Sequence, residues 1–191
     1  MIHPGDMLIN SVTKERMTFL KTAADTNGEY VLIELSAAPG GVVAAAHVHP
    51  SQTETFEVIR GTLGAKVGGK ELEAKAGDVL VVEPRVAHKW WNAGDDELVF
   101  RCEVRPALQF EALIETMFGL AADGKTNHKG MPNPLRLAVI AQSHFDDVRL
   151  PFPPGWMQRF GLGLGAPLGR LLGYKATYVP AGAEAALEAS I

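Results

Sequence analysis

Two histidines two residues apart, His47 and His49, offer the clearest chemistry in this chain. On a β-strand, side chains at i and i+2 point to the same face, about 7 Å apart, so both imidazoles can reach one point. Glu54 follows after Pro50-Ser51-Gln52, a kink that can reset the strand alternation and return Glu54 to the histidine face. His88 sits on a later strand-like segment. Three neutral imidazoles and a carboxylate suit one divalent transition metal such as Fe, Mn, Ni, Cu or Zn. Glu57 could stand in for Glu54, but its parity is wrong on a regular strand.

The elements that must position these residues read as short strands. Residues 16–23 and 30–37 flank the turn signal Asp25-Thr26-Asn27-Gly28, and Pro39-Gly40-Gly41 precedes the histidine segment, expected to be a strand. Gly68-Gly69 reads as a hairpin turn, 79–82 as a buried strand, and Leu98, Phe100, Cys102 and Val104 share a face of the last strand. Many short strands at regular spacing point to an all-β sandwich or barrel.

The spacing Gly-x5-His-x-His-x4-Glu-x6-Gly over Gly41–Gly61 resembles the first cupin motif at every defined position. The second motif resembles Gly77 through His88 to Asn92, with Glu83 in place of its proline and Arg85 in place of its glycine. The resemblance covers residues 30–106 and implies a cupin jelly-roll β-barrel with metal ligands His47, His49, Glu54 and His88. It leaves the substrate open, because one fold hosts many functions. Arg85 puts the turn before His88 in doubt, since the glycine it replaces permits a tight turn. Arg85 reads as a solvated cation rather than an anion anchor, Asn92 as a turn residue rather than a support for the site, and Cys102 as a small buried hydrophobe.

Beyond Pro106 the character changes, giving a barrel over 1–106 and a helical extension over 107–191, packed on the barrel or a partner subunit. Phe110, Leu113, Ile114, Met117 and Phe118 mark an amphipathic helix closed by Gly119. Asn133 and Pro134 open a second helix reaching about Asp146. Trp156 to Tyr174 carries glycine at every fourth position from Gly161 to Gly173, which reads as a lid or subunit contact. Trp91 is expected to pack beneath these helices, and the Ala/Glu-rich tail from Ala181 to fray. His3, His128 and His144 belong to no motif, and His144 reads as a surface or partly buried residue.

Bulk properties narrow the rest. A net charge of −4 without a basic patch argues against nucleic acid, and no apolar run is long enough to span a membrane, so neither nucleic acid nor a membrane is expected as a partner. One cysteine excludes an internal disulfide, and no signal pattern opens the chain, so a cytoplasmic location is expected. Unpaired sheet edges and surplus apolar helix surface predict a homodimer. The residues inferred to point inward are Phe56, Val58, Val79, Val81, Trp90 and Phe100, with Phe56, Trp90 and Phe100 expected to touch substrate. That apolar lining favours a mononuclear oxygenase of the quercetin dioxygenase-like kind, acting on an aromatic or enolisable small molecule, with Glu54 as the acid–base group. A non-catalytic sensor or carrier and a metal-dependent isomerase are the alternatives.

Overall fold

The computed structural model describes residues 2–180, which leaves the tail from Ala181 outside the described residues. The strands are β1 (Met7–Asn10), β2 (Glu15–Lys21), β3 (Val31–Ala37), β4 (Thr53–Arg60), β5 (Thr62–Val67), β6 (Lys70–Lys75), β7 (Val79–Val82), β8 (His88–Asn92) and β9 (Leu98–Arg105). The helices are α1 (Phe110–Ala122), α2 (Pro134–Ser143) and α3 (Gly155–Leu171).

Period-two patterning builds the core. Val31, Ile33, Leu35 and Ala37 of β3 are buried alternately, and β9 pairs them in register with Val104, Cys102, Phe100 and Leu98. The strands form an antiparallel sheet in the order β1-β2-β3-β9-β4-β7 and a smaller one, β6-β5-β8. Strand pairing among the described residues does not close these sheets into a barrel, so the expected closed jelly-roll barrel is instead a β-rich fold of two antiparallel sheets. Asn27 and Gly28 take positive φ in the β2–β3 turn, and Gly68 and Gly69 do so in the β5–β6 hairpin.

Several expectations need correction. Residues 42–48 form no regular strand and touch their neighbours through isolated bridges, Val42 to Trp91, His47 to His88 and Val48 to Arg149. Ala44, Ala45 and Ala46 supply little strand preference there. β7 is not a buried strand, because register places Val82 opposite Glu54 and Leu80 opposite Phe56, turning Val79 and Val81 outward. α1 runs past Gly119 to Ala122, and α2, capped by Asn133 Oδ1 accepting from the Leu135 N–H at 2.9 Å, stops three residues short of Asp146. Trp91 lies over Gly64 of β5, where a Cβ would sit 2.4 Å from its ring, rather than under the helices. His144 is fully buried, its Nδ1 3.0 Å from Asp147 Oδ2.

The helical part is not cleanly separate. Phe110 and Phe118 of α1 belong to the same apolar core as β3 and β9, and the Ala23 N–H donates to Glu111 Oε1 at 2.7 Å.

Candidate metal centre

His47 and His49 come from the irregular segment before β4, Glu54 from β4 and His88 from the start of β8. Backbone bonds between His47 and His88 (2.9 Å each way) join the first segment to β8. The Arg85 N–H donates to the His49 carbonyl at 2.7 Å. Arg85 adopts φ +68°, so it supplies the left-handed conformation usually given by glycine, and the turn before His88 is kept. One ligand atom from each of the four residues lies within 4.8 Å of all the others. The imidazole centroids are 4.3–5.5 Å apart. His49, Glu54 and His88 are buried, and His47 is the only one of the four with partial exposure.

The outer ring nitrogens fix the tautomers. Nδ1 of His47 faces the Ala45 carbonyl at 2.9 Å, and Nδ1 of His88 faces the Val86 carbonyl at 3.0 Å. Nδ1 of His49 faces two acceptors, Gln52 Oε1 at 2.9 Å and the Asp147 carbonyl at 2.8 Å. Each Nδ1 must therefore carry hydrogen and donate, which leaves each neutral ring a lone pair on Nε2. Glu54 Oε2 is 2.7 Å from His88 Nε2, and Oε1 is 3.5 Å from His49 Nε2. Even so, His49 Nε2, His88 Nε2 and Glu54 Oε2 are buried without a hydrogen-bond partner, their close approach lacking hydrogen-bond geometry. Buried lone pairs that converge and go unanswered fit a cation.

The electrostatics agree. Burial, helped by the neighbouring His88, pushes the His47 pKa down to about 4, so this ring is neutral at pH 7. Burial alone would raise the Glu54 pKa, but the charge and hydrogen-bonding capacity of His49 and His88 outweigh it and keep Glu54 ionised. Burial opposes the charged form of His49, yet Glu54 outweighs that and raises its pKa.

The structure brings the four expected ligands together and turns Glu57 outward, opposite Val79. Phe56, Trp90 and Phe100 are buried in mutual contact, with centroids 5.5 Å (Phe56–Phe100) and 5.1 Å (Trp90–Phe100) apart, so they form a packed floor two residues beyond Glu54 and His88. Asn92 is structural. Its Nδ2 donates to the Ala37 and Asp96 carbonyls at 2.9 and 2.8 Å, and its Oδ1 accepts from the Gly94 N–H at 2.9 Å. Cys102 is buried in the core, and burial holds its thiol well above the usual range. Gln52 and the Asp147 carbonyl are absent from the sequence reading. Gln52 stood in the sequence only as part of the kink before β4; buried there, its amide must find partners.

Residues 34–104 match the family model of the cupin domain (Cupin_2), and this match supports the cupin superfamily for that part of the chain. A Klebsiella pneumoniae protein, described as uncharacterized with a double-stranded β-helix domain, is 25% identical over 56% of this chain and 84% of its own, with a TM-score of 0.43. A predicted oxalate decarboxylase from Thermotoga maritima is 20% identical over 56% of this chain and 99% of its own, with a TM-score of 0.49. An RmlC-like cupin from Shewanella frigidimarina is 18% identical over 56% and 88%, with a TM-score of 0.48. A search of the curated proteins finds no significant match.

Proposed function

We propose that the chain binds one divalent transition metal through His47, His49, Glu54 and His88 and is a mononuclear oxygenase for an apolar aromatic or enolisable small molecule. The observation that carries the metal assignment is the convergence of three buried, unpartnered atoms, Glu54 Oε2 and the Nε2 atoms of His49 and His88, whose Nδ1 atoms are already bound. A metal held by four protein ligands would supply Lewis acidity and retain open positions for small molecules. The rest of the chemistry falls to the chain. Phe56, Trp90 and Phe100 exclude water below the ligands, which favours an apolar ring over a free sugar. Glu54, ionised and at the centre, is the group that can accept a proton from an enol or phenol oxygen. Substrate approaches from the His47 side, the one partly exposed part of the cluster.

Binding without turnover is the second reading. An open cavity of about 410 Å3 borders residues 42–46, Lys89 and His128, and none of the four ligands lines it. A molecule held there need not touch a metal. An oxygen electrode separates the readings when flavonols, catechols and 1,3-diketones are offered to Fe-, Mn-, Ni- and Cu-loaded protein. Uptake that disappears in His49→Ala supports the oxygenase. Tight binding of a panel member without uptake under any metal supports the carrier.

A further inference from the structure

α3 turns its large side chains away from the molecule. Trp156, Phe160, Leu164 and Leu168 recur at every fourth position and are 72%, 71%, 60% and 54% exposed, and Leu171 is 83% exposed. Phe152, before the helix, extends the same apolar surface and is 78% exposed. At these exposures the six side chains present roughly 800 Å2, beyond the largest apolar patch of an ordinary monomer, about 300–600 Å2.

The opposite face explains this orientation. Ala166 and Gly169 are buried, a Cβ on Gly169 would lie 2.5 Å from the Leu135 carbonyl oxygen of α2, and one on Gly165 would lie 3.2 Å from Ala138 Cβ. The small residues seat α3 on α2, and the large ones are left outside.

Charge indicates what covers them. No Asp or Glu occurs from Val148 to Ala183, a stretch that contains Arg149, Arg159, Arg170 and Lys175. Residues 123–179 carry seven Lys or Arg against three Asp or Glu, in a chain that is acidic overall. We propose that α3 lies flat in the interface of an anionic lipid bilayer, its Trp, Phe and Leu side chains in the acyl boundary and its arginines at the headgroups. Asp146, before the helix, pairs with Arg159 at 2.7 Å, which leaves Arg149, Arg170 and Lys175 as the excess cations. Aromatic and leucine residues on one face with an excess of cations alongside are what such a surface selects. The helix does not cross the bilayer: no helix among the described residues is long and apolar enough, and Pro167 interrupts this one. A second copy of the chain fits less well, because a two-fold contact between α3 helices brings two basic, acid-free segments together.

The test is co-sedimentation of the full chain with vesicles of phosphatidylcholine alone or with about 30% phosphatidylglycerol. Wild type should sediment with the anionic vesicles at least about tenfold better than with the neutral ones, and this preference should collapse near 0.5 M salt, where screening is nearly complete (Debye length about 4 Å). The double variant Trp156→Glu, Phe160→Glu should stay in the supernatant while keeping wild-type melting and metal content. If the variant fails to fold, the wild-type lipid and salt comparisons still decide. Wild type that ignores anionic vesicles at low salt overturns the proposal. So does a lipid-free dimer, seen by light scattering, that the double variant converts to monomer, since α3 is then covered by a second copy.

Discussion

Gln52 shows how much of the centre depends on a residue outside the ligand set. It is fully buried, its Oε1 accepts from His49 Nδ1, and its Nε2 donates to the Pro106 and Ala107 carbonyls at 2.9 and 3.2 Å. Gln52→Leu keeps the volume but removes one of the acceptors that orient His49 and leaves two buried carbonyls short of a donor. Metal affinity should fall about 10–100-fold and stability by about 1–3 kcal/mol, measured by metal titration and by urea melts. Wild-type affinity in this variant would mean that the Asp147 carbonyl orients His49 alone. Glu15 gives the pH prediction. Burial raises its pKa to about 7 against an unfolded value near 4.5, while the Thr13 hydroxyl donates to it and pulls the other way. The folded state thus binds more protons than the unfolded state between these values, so Glu15 costs stability as pH rises from about 4.5 to 7, on the order of 3 kcal/mol in total. His47 acts oppositely, because its lowered pKa makes stability rise with pH between about 4 and 6.5. Subtraction isolates Glu15: Glu15→Gln should gain on wild type from pH 5 to about pH 7 and level off above that in chelator-treated protein. A difference that does not change with pH would contradict its buried ionisation.

At the scale of elements, the seating of α3 on α2 makes two glycines opposite in effect. Gly169 sits where a Cβ meets the Leu135 backbone, whereas Gly161 has nothing within 4 Å of that position. Gly169→Ala should therefore destabilise by about 1–3 kcal/mol through overpacking, and Gly161→Ala should stabilise by about 0.5–1 kcal/mol as a mid-helix glycine removed. Thermal melts of the two variants moving the same way would refute this seating. The regular four-residue glycine spacing did not reveal that division, because it does not say which glycines face a neighbour. Strands patterned by alternating burial, such as β3 and β9, were legible, as were the ligands, whose chemistry demands particular residue types at fixed separations. The direction of β7 was not, since inward parity there depends on its register with β4. The support of His49 by the Asp147 carbonyl, 98 residues away, could not be read either, because a main-chain oxygen has no signature in the sequence.

For the whole molecule, the centre joins parts far apart in the chain. The Val48 N–H donates to the Arg149 carbonyl at 2.9 Å, and the Arg149 N–H donates back at 3.0 Å, so the segment between α2 and α3 clamps the histidine segment where it enters β4. Helices and sheets therefore share one responsibility, holding His49, and the division at residue 106 is crossed by the site itself. The core of β3, β9 and α1 is apolar and independent of any metal, so a chelator should leave the fold intact. The central claim is that four named side chains hold one metal. Elemental analysis of protein purified without chelator or nickel resin tests it directly, comparing wild type with His49→Ala and with His128→Ala as control. About one divalent transition metal per chain is expected in wild type and His128→Ala, and almost none in His49→Ala. Equal metal in wild type and folded His49→Ala, or none in wild type after incubation with each candidate metal, would contradict the account.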